Sequence, residues 1–242
     1  MDRLIYTAMS GAKATLARQD VLANNLANAS TTGFRAEMQA FRAVPVLGDG
    51  ASTRVFALES TVGYDSQSGS IQSTGRSLDV AMKGNGWLAV QSLDGTEAYT
   101  RAGAFELSTE GQLVTPGGLP VLGDGGPITI PPNATVEIAA DGTITTTVGS
   151  AKPQQAGKLK MVTPEAPLLR GTDGLFRAAD GGDLTADPGA RLQSGALEGS
   201  NVSPVETMVA MIAAARQFEQ QMKMMQSAEQ KEQSATKLLA PT

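Results

Sequence analysis

The 242-residue chain contains no cysteine and no histidine. Without cysteine it has no disulfides and no thiolate chemistry. Without histidine it lacks the commonest general base and metal ligand. Aromatics are scarce, with one Trp, three Tyr and six Phe, so apolar burial rests on Ala, Val, Leu and Met. No stretch approaches the roughly 20 apolar residues of a membrane helix, and no membrane insertion is expected. The opening MDRLIYTAMSGAKATLARQD lacks the compact apolar core of a cleavable signal. If the chain leaves the cytoplasm, it is expected to use another route. Net charge is −5, which argues against a nucleic-acid partner. The acidic excess lies in the middle of the chain, and both ends are near neutral.

What is present begins with an amphipathic helix over residues 4–28. Ile5, Ala8, Ala12, Leu16, Gln19, Ala23 and Leu26 recur at spacings of three and four. Gly33 reads as a left-handed stop just beyond it. Residues 29–75 hold few strand or helix signals, and VPVLGDGAS and YDSQSGSIQSTG are linker-like. From Leu78, short β-prone runs alternate with turn signals. These are Asp94-Gly95, Glu110-Gly111, Pro116-Gly117-Gly118, Asp124-Gly125-Gly126, Asp141-Gly142 and Asp173-Gly174. LDVAMKGNGWLAVQ predicts a hairpin around Gly84-Asn85-Gly86. The pattern predicts an antiparallel β domain over 76–190, without βαβ alternation.

A second helix starts at SPVE, with Ser203 at the N-cap, Pro204 at N1 and Glu206 at N3. No Gly or Pro interrupts it before Leu239. About 35 residues make a helix of roughly 50 Å. Met208, Ile212, Ala215, Glu219, Met222, Gln226 and Glu229 give it an expected seam, with Val205, Met211, Phe218 and Met225 flanking. Neither long helix has a helical neighbour in sequence, so each is expected to pair with the other as a coiled coil. Two helices cannot cover all of that apolar surface, and the remainder is expected to face other chains.

Three side-chain amides, Asn24, Asn25 and Asn28, crowd the end of the first helix around Leu26. They either cap free carbonyls locally or form a polar stripe that meets neighbouring subunits. The stripe is favoured, because three amides exceed the needs of one cap. The Met positions of the second helix serve core filling and adaptable contact equally. Signals of catalysis are weak. Ser10 to Lys13 and Ser234 to Lys237 both fit S-x-x-K, with no companion motif. Asp180, Asp183 and Asp187 lack calcium-loop spacing. No phosphate-binding loop occurs. No catalytic, cofactor or metal site is assigned. An enzyme built from this composition would need carboxylates converging in the β domain.

Three stretches carry a family resemblance. ANNLANASTTGFRAEMQAF resembles the N-terminal signature of bacterial flagellar rod and hook axial proteins. EAYTRAGAFELSTEGQLVTPGGLPVLGDGGPI resembles their central β segment, and GSNVSPVETMVAMIAAARQFEQQMKMMQSAEQK their C-terminal helix. Within the family the chain looks most like the proximal-rod branch. The resemblance implies a non-enzymatic structural subunit that polymerises helically into a hollow, torque-transmitting shaft. Its partners would be copies of itself and other rod proteins. It would be exported by the flagellar type III apparatus and reside in the periplasmic rod.

The expected fold is therefore α+β, with long paired terminal helices around a central antiparallel β-rich domain. Residues 1–35 and 203–242 would be inner helices lining the tube, and 76–190 the outer domain. Residues 36–75 would be an extended linker and 191–202 a return linker. The expected subunit-interface residues are Asn24, Asn25, Leu26, Asn28, Gly33 and Phe34, with Met208, Ile212, Ala215, Phe218, Met222 and Met225 on the second helix. Another secreted fibre subunit remains open as an alternative.

Overall fold

The computed structural model describes residues 2–45 and 55–239. Residues 46–52 of the linker-like stretch and 240–242 of the expected C-terminal helix lie outside the described residues. The architecture is α+β, with an N-terminal helix, a central antiparallel β-rich region and a C-terminal helix. Two compact units divide the chain. One takes residues 1–29, 37–63 and 202–242, and the other residues 30–36 and 64–201.

In the helical unit, α1 spans Asp2–Ala27 and α2 spans Pro204–Leu239. α2 begins one residue after Ser203, as a cap followed by Pro at N1 requires. The Thr207 amide closes the first turn on the Ser203 carbonyl at 3.0 Å. The two helices lie in contact. On α1 the sheltered positions are Ile5, Ala8, Ala12, Thr15, Gln19 and Leu22, and on α2 Thr207, Met211, Ala214, Phe218, Gln221 and Met225. Both sets alternate steps of three and four.

On α2 the expected Met211, Ala215, Phe218, Met222 and Met225 are sheltered, but Met208 and Ile212 are 50% and 56% exposed, whereas Thr207 and Ala214 are buried. On α1, Leu22 is sheltered as expected, Thr15 is buried, and the expected Leu16 and Ala23 are exposed. Small residues at Ala8, Ala12, Thr15, Thr207 and Ala214 let the backbones approach between larger sheltered side chains such as Met211, Phe218 and Met225. At Gly11 an added Cβ would sit 2.7 Å from the Gln221 amide oxygen. Of the large apolar positions expected on α2, Val205, Met208 and Ile212 are exposed, while Met211, Phe218, Met222 and Met225 are half-buried.

Strands Glu37–Pro45 and Val55–Tyr64 form a two-stranded sheet inside the stretch expected to be an extended linker. The β unit holds the core. Its largest sheet orders Met161–Val162, Trp87–Gln91, Glu97–Thr100, Phe176–Arg177 and Leu169–Arg170, all antiparallel. A second sheet joins Ala134–Ile138, Thr143–Val148 and Gln154–Lys158. Asp94-Gly95, Glu110-Gly111, Asp124-Gly125, Asp141-Gly142 and Asp173-Gly174 each close an antiparallel hairpin, as their turn chemistry predicts. Leu88, Val90, Phe105, Leu113, Ile144 and Leu192 are fully buried between these layers. Trp87, Tyr64 and Phe176 stack beside them, with Trp87 and Phe176 ring centres 4.6 Å apart.

Two expectations fail here. Gly84-Asn85-Gly86 does not close a hairpin. Val80–Met82 pairs with Leu192–Ser194, while Trp87–Gln91 pairs in the large sheet. The turn carbonyls of Gly84 and Gly86 instead accept hydrogen bonds from Arg101. The return linker is also partly strand, since Ala196–Glu198 pairs with Ile71–Ser73. The β unit thus runs past 190, to 201.

The hairpin tip at Ser92 to Thr96 carries Leu93 at 92% exposure, held rigidly from below. Arg177 reaches Asp173 at 2.7 Å, the Ser92 hydroxyl at 3.0 Å and Asp94 at 3.8 Å. Hydrogen bonds from Arg177 hold the Asp173 carboxyl below its ordinary 3.8. Hydrogen bonds in their own turns lower Asp94, through Thr96, and Asp141, through Thr143, and the Thr163 hydroxyl lowers Asp187. A depressed folded value stabilises above the unfolded value, and that stability is lost as pH falls through the folded value. The β-unit melting temperature is therefore expected to stay level down to about pH 5 and to decline below about pH 4. A circular-dichroism melt series checks this, and a midpoint that rises on acidification would contradict it.

Candidate subunit interface

The amide cluster divides its work within its own chain. Asn25 is 7% exposed and grips the backbone of Glu37 at both ends. Its Nδ2 donates to the Glu37 carbonyl at 3.0 Å, and its Oδ1 accepts from the Glu37 amide at 2.9 Å. Asn28 donates to the Asn24 carbonyl at 2.9 Å and to the Asn24 side chain at 3.0 Å, which closes the helix end locally. Asn28 thus caps the helix end locally, and Asn25 is an internal clamp that faces inward. Leu26 is half-buried, and Asn24 is exposed.

Gly33 has the expected left-handed backbone, with φ +69°. It stops no helix, because α1 has ended at Ala27. Its lack of a side chain matters for packing. A Cβ there would lie 2.3 Å from the Ala102 nitrogen and the Arg101 carbonyl carbon. Phe34 is buried beneath the Arg170 guanidinium, 4.6 Å from the ring centre.

Next to Gly33 lies a charged cluster that sequence reasoning missed. Arg35, Arg101 and Glu198 are 2%, 1% and 1% exposed. Arg35 Nη2 meets Glu198 Oε1 at 2.7 Å, and Arg101 Nε meets Glu198 Oε2 at 3.0 Å. Two guanidinium groups around one carboxylate leave excess positive charge. Backbone carbonyls of Gly84, Gly86 and Gln67 absorb it by accepting from the two arginines. Burial pulls the Arg101 guanidinium below its ordinary value, Glu198 opposes this, and the like charge of Arg35 adds to it. Asn201 completes the closure. Its Oδ1 accepts from the Ala36 amide at 2.7 Å, and its Nδ2 donates to the Asp65 and Gln67 carbonyls at 3.1 and 3.0 Å. The only outward sign in sequence is that Arg35, Arg101 and Glu198 interrupt small or apolar runs (TGFRA, YTRAGAF and GALEGS).

On α2, Ala215, Phe218, Met222 and Met225 are half-buried, while Met208 and Ile212 are exposed. With Val205 and Val209, 72% and 62% exposed, the latter two form an apolar patch spaced i, i+3, i+4, i+7. A cleft lined by Glu97, Asp124 and Lys160 holds one half-buried carboxylate, Glu97, already paired to Lys160 at 2.7 Å. Asp124 is exposed. Among the described residues no group of three acids could hold a metal ion, and no helix is long and apolar enough to cross a membrane.

Three family descriptions match in chain order. "Flagella basal body rod protein" covers residues 5–35, "Flagellar hook protein FlgE/F/G D1 domain" 81–146, and "Flagellar basal body rod FlgEFG protein C-terminal" 193–238. The flagellar basal-body rod protein FlgF of Salmonella typhimurium is 49% identical over 99% of both chains. The chain belongs to the flagellar basal-body rod protein family. FlgF of Escherichia coli is 47% identical over 99% of both chains. The rod protein FlgG of Bacillus subtilis is 33% identical over 95% of this chain and 96% of its own. The chain is accordingly a structural rod protein, not an enzyme. The three matched segments divide between the units. The first and last fall mainly on α1 and α2, and the middle one on the β unit.

Proposed function

We propose that the chain is a proximal-rod subunit whose two helices pair as a coiled coil in the inner wall of a hollow, helically assembled shaft, with the β unit outside. The greater identity to FlgF, 49% against 33% for FlgG, supports the proximal position. The observation that carries the interface is the exposed apolar patch Val205, Met208, Val209 and Ile212. A water-soluble subunit has no reason to leave four such side chains on one helical face unless other chains cover them. Copies of itself and other rod proteins are the partners, joined through α2 positions from Met208 to Met225 and the end of α1. Passage through the flagellar type III apparatus to the periplasm completes the reading.

Ile212→Asp tests it. Ile212 is 56% exposed, so the free subunit should keep its solubility and its β-unit melting temperature. In the shaft wall the unpaired carboxylate would cost several kcal/mol to desolvate. The variant is expected to be missing from purified basal bodies and to leave cells non-motile. Normal motility with the variant incorporated would place the interface elsewhere.

A further inference from the structure

Residues 30–36 follow α1 in sequence, inside the N-terminal signature, yet they belong to the β unit. Their bonds explain why. The Gly33 amide donates to the Glu198 carbonyl at 2.7 Å, and the Ala36 carbonyl accepts from the Asp65 amide at 2.8 Å. The Asn201 amide donates to the Phe34 carbonyl at 3.3 Å, and the Asn201 side chain returns to the Ala36 amide. Arg35 places a buried charge on Glu198. These contacts tie residues 33–36 to Asp65, where the chain re-enters the unit, and to Glu198 and Asn201 at its closing segment. α1 is held by packing on α2, and a helix gains little from its own hydrogen bonds without such packing.

We infer that Arg35, Glu198 and Asn201 form a latch that folds residues 30–36 into the β unit of the free subunit, before any neighbour binds. The order boundary of the unassembled chain then falls at residue 30, not where the β strands begin. Assembly has only the helices left to order, and the segment that launches α1 is already fixed. This rests on the proposed reading of the helices as assembly surfaces, but its test is separate.

The measurement is amide hydrogen exchange on the full-length monomer at low concentration. Gly33 and Ala36 amides should exchange in step with ladder amides such as Val90 and Ile144, at least about 100-fold more slowly than α1 amides. Exchange of Gly33 and Ala36 at α1 rates would overturn the latch, whatever α1 itself does. Protection of α1 as strong as that of Gly33 would remove the boundary at residue 30. In full-length Arg35→Gln, the protection of Gly33 and Ala36 should fall by at least about 10-fold while Val90 and Ile144 keep theirs. Unchanged protection would overturn the role of Arg35. Should that variant unfold, Asn201→Ser, which keeps the Arg35–Glu198 pair, takes its place with the same two readings. Motility plays no part in this test, so its failure is distinguishable from that of the proposed function.

Discussion

Glu198→Ala is expected to lower the stability of the β unit by about 3–5 kcal/mol, the usual cost of removing one partner from a buried ion pair. The argument lies in what remains. Arg35 and Arg101 would keep two guanidinium groups at 2% and 1% exposure with no carboxylate between them. A guanidinium is a permanent charge at neutral pH. Carbonyls of Gly84, Gly86 and Gln67 satisfy some donors but carry no full charge. The unit must therefore hold repelling charges in a dry site or open to admit water. Folded domains have only about 5–15 kcal/mol in hand, so the loss is large. The single tryptophan, Trp87, is 5% exposed and packed against Tyr64 and Phe176. Its fluorescence during urea unfolding reports the change directly. A loss below about 1 kcal/mol would mean that the arginines are adequately held by carbonyls alone.

Gly33→Val is expected to be comparably damaging, for two additive reasons. A β-branched residue at φ +69° carries strain of about 1–3 kcal/mol. Its Cβ would also fall 2.3 Å from backbone atoms of Arg101 and Ala102, which cannot rotate aside. Relieving that overlap costs about another 1–3 kcal/mol. Displacing Arg101 would disturb its ion pair with Glu198, so the effect reaches the cluster as well. The same urea titration should show a lower midpoint, together with loss of motility. An unchanged midpoint with lost motility would move the role of Gly33 from folding to assembly.

The periodic and turn-rich parts of the fold were legible because their signals are local. Ser203-Pro204 announced the start of α2, and Asp-Gly pairs announced hairpins that formed where expected. Only the start of the α2 seam was misplaced, because hydrophobicity ranks Met208 above Thr207, yet Thr207 is buried and Met208 is 50% exposed. The short strands Leu192–Ser194 and Ala196–Glu198 were taken for linker because three residues carry no readable period. Gly84-Asn85-Gly86 misled because turn chemistry describes a bend in the chain, not which strands pair. The cluster of Arg35, Arg101 and Glu198 was invisible for a related reason. Its members lie far apart in sequence, and nothing local to any of them names its partner.

The braced hairpin tip at Leu93 also has a practical consequence. The chain has no cysteine, so Leu93→Cys would create its one thiol. At a position 92% exposed, that thiol would react readily with a maleimide dye. Because Arg177, Asp173 and Ser92 hold the turn from beneath, an attached fluorophore would inherit a defined orientation on the β unit. Polarised single-molecule imaging could then use this residue as a mark for following the angle of a turning motor.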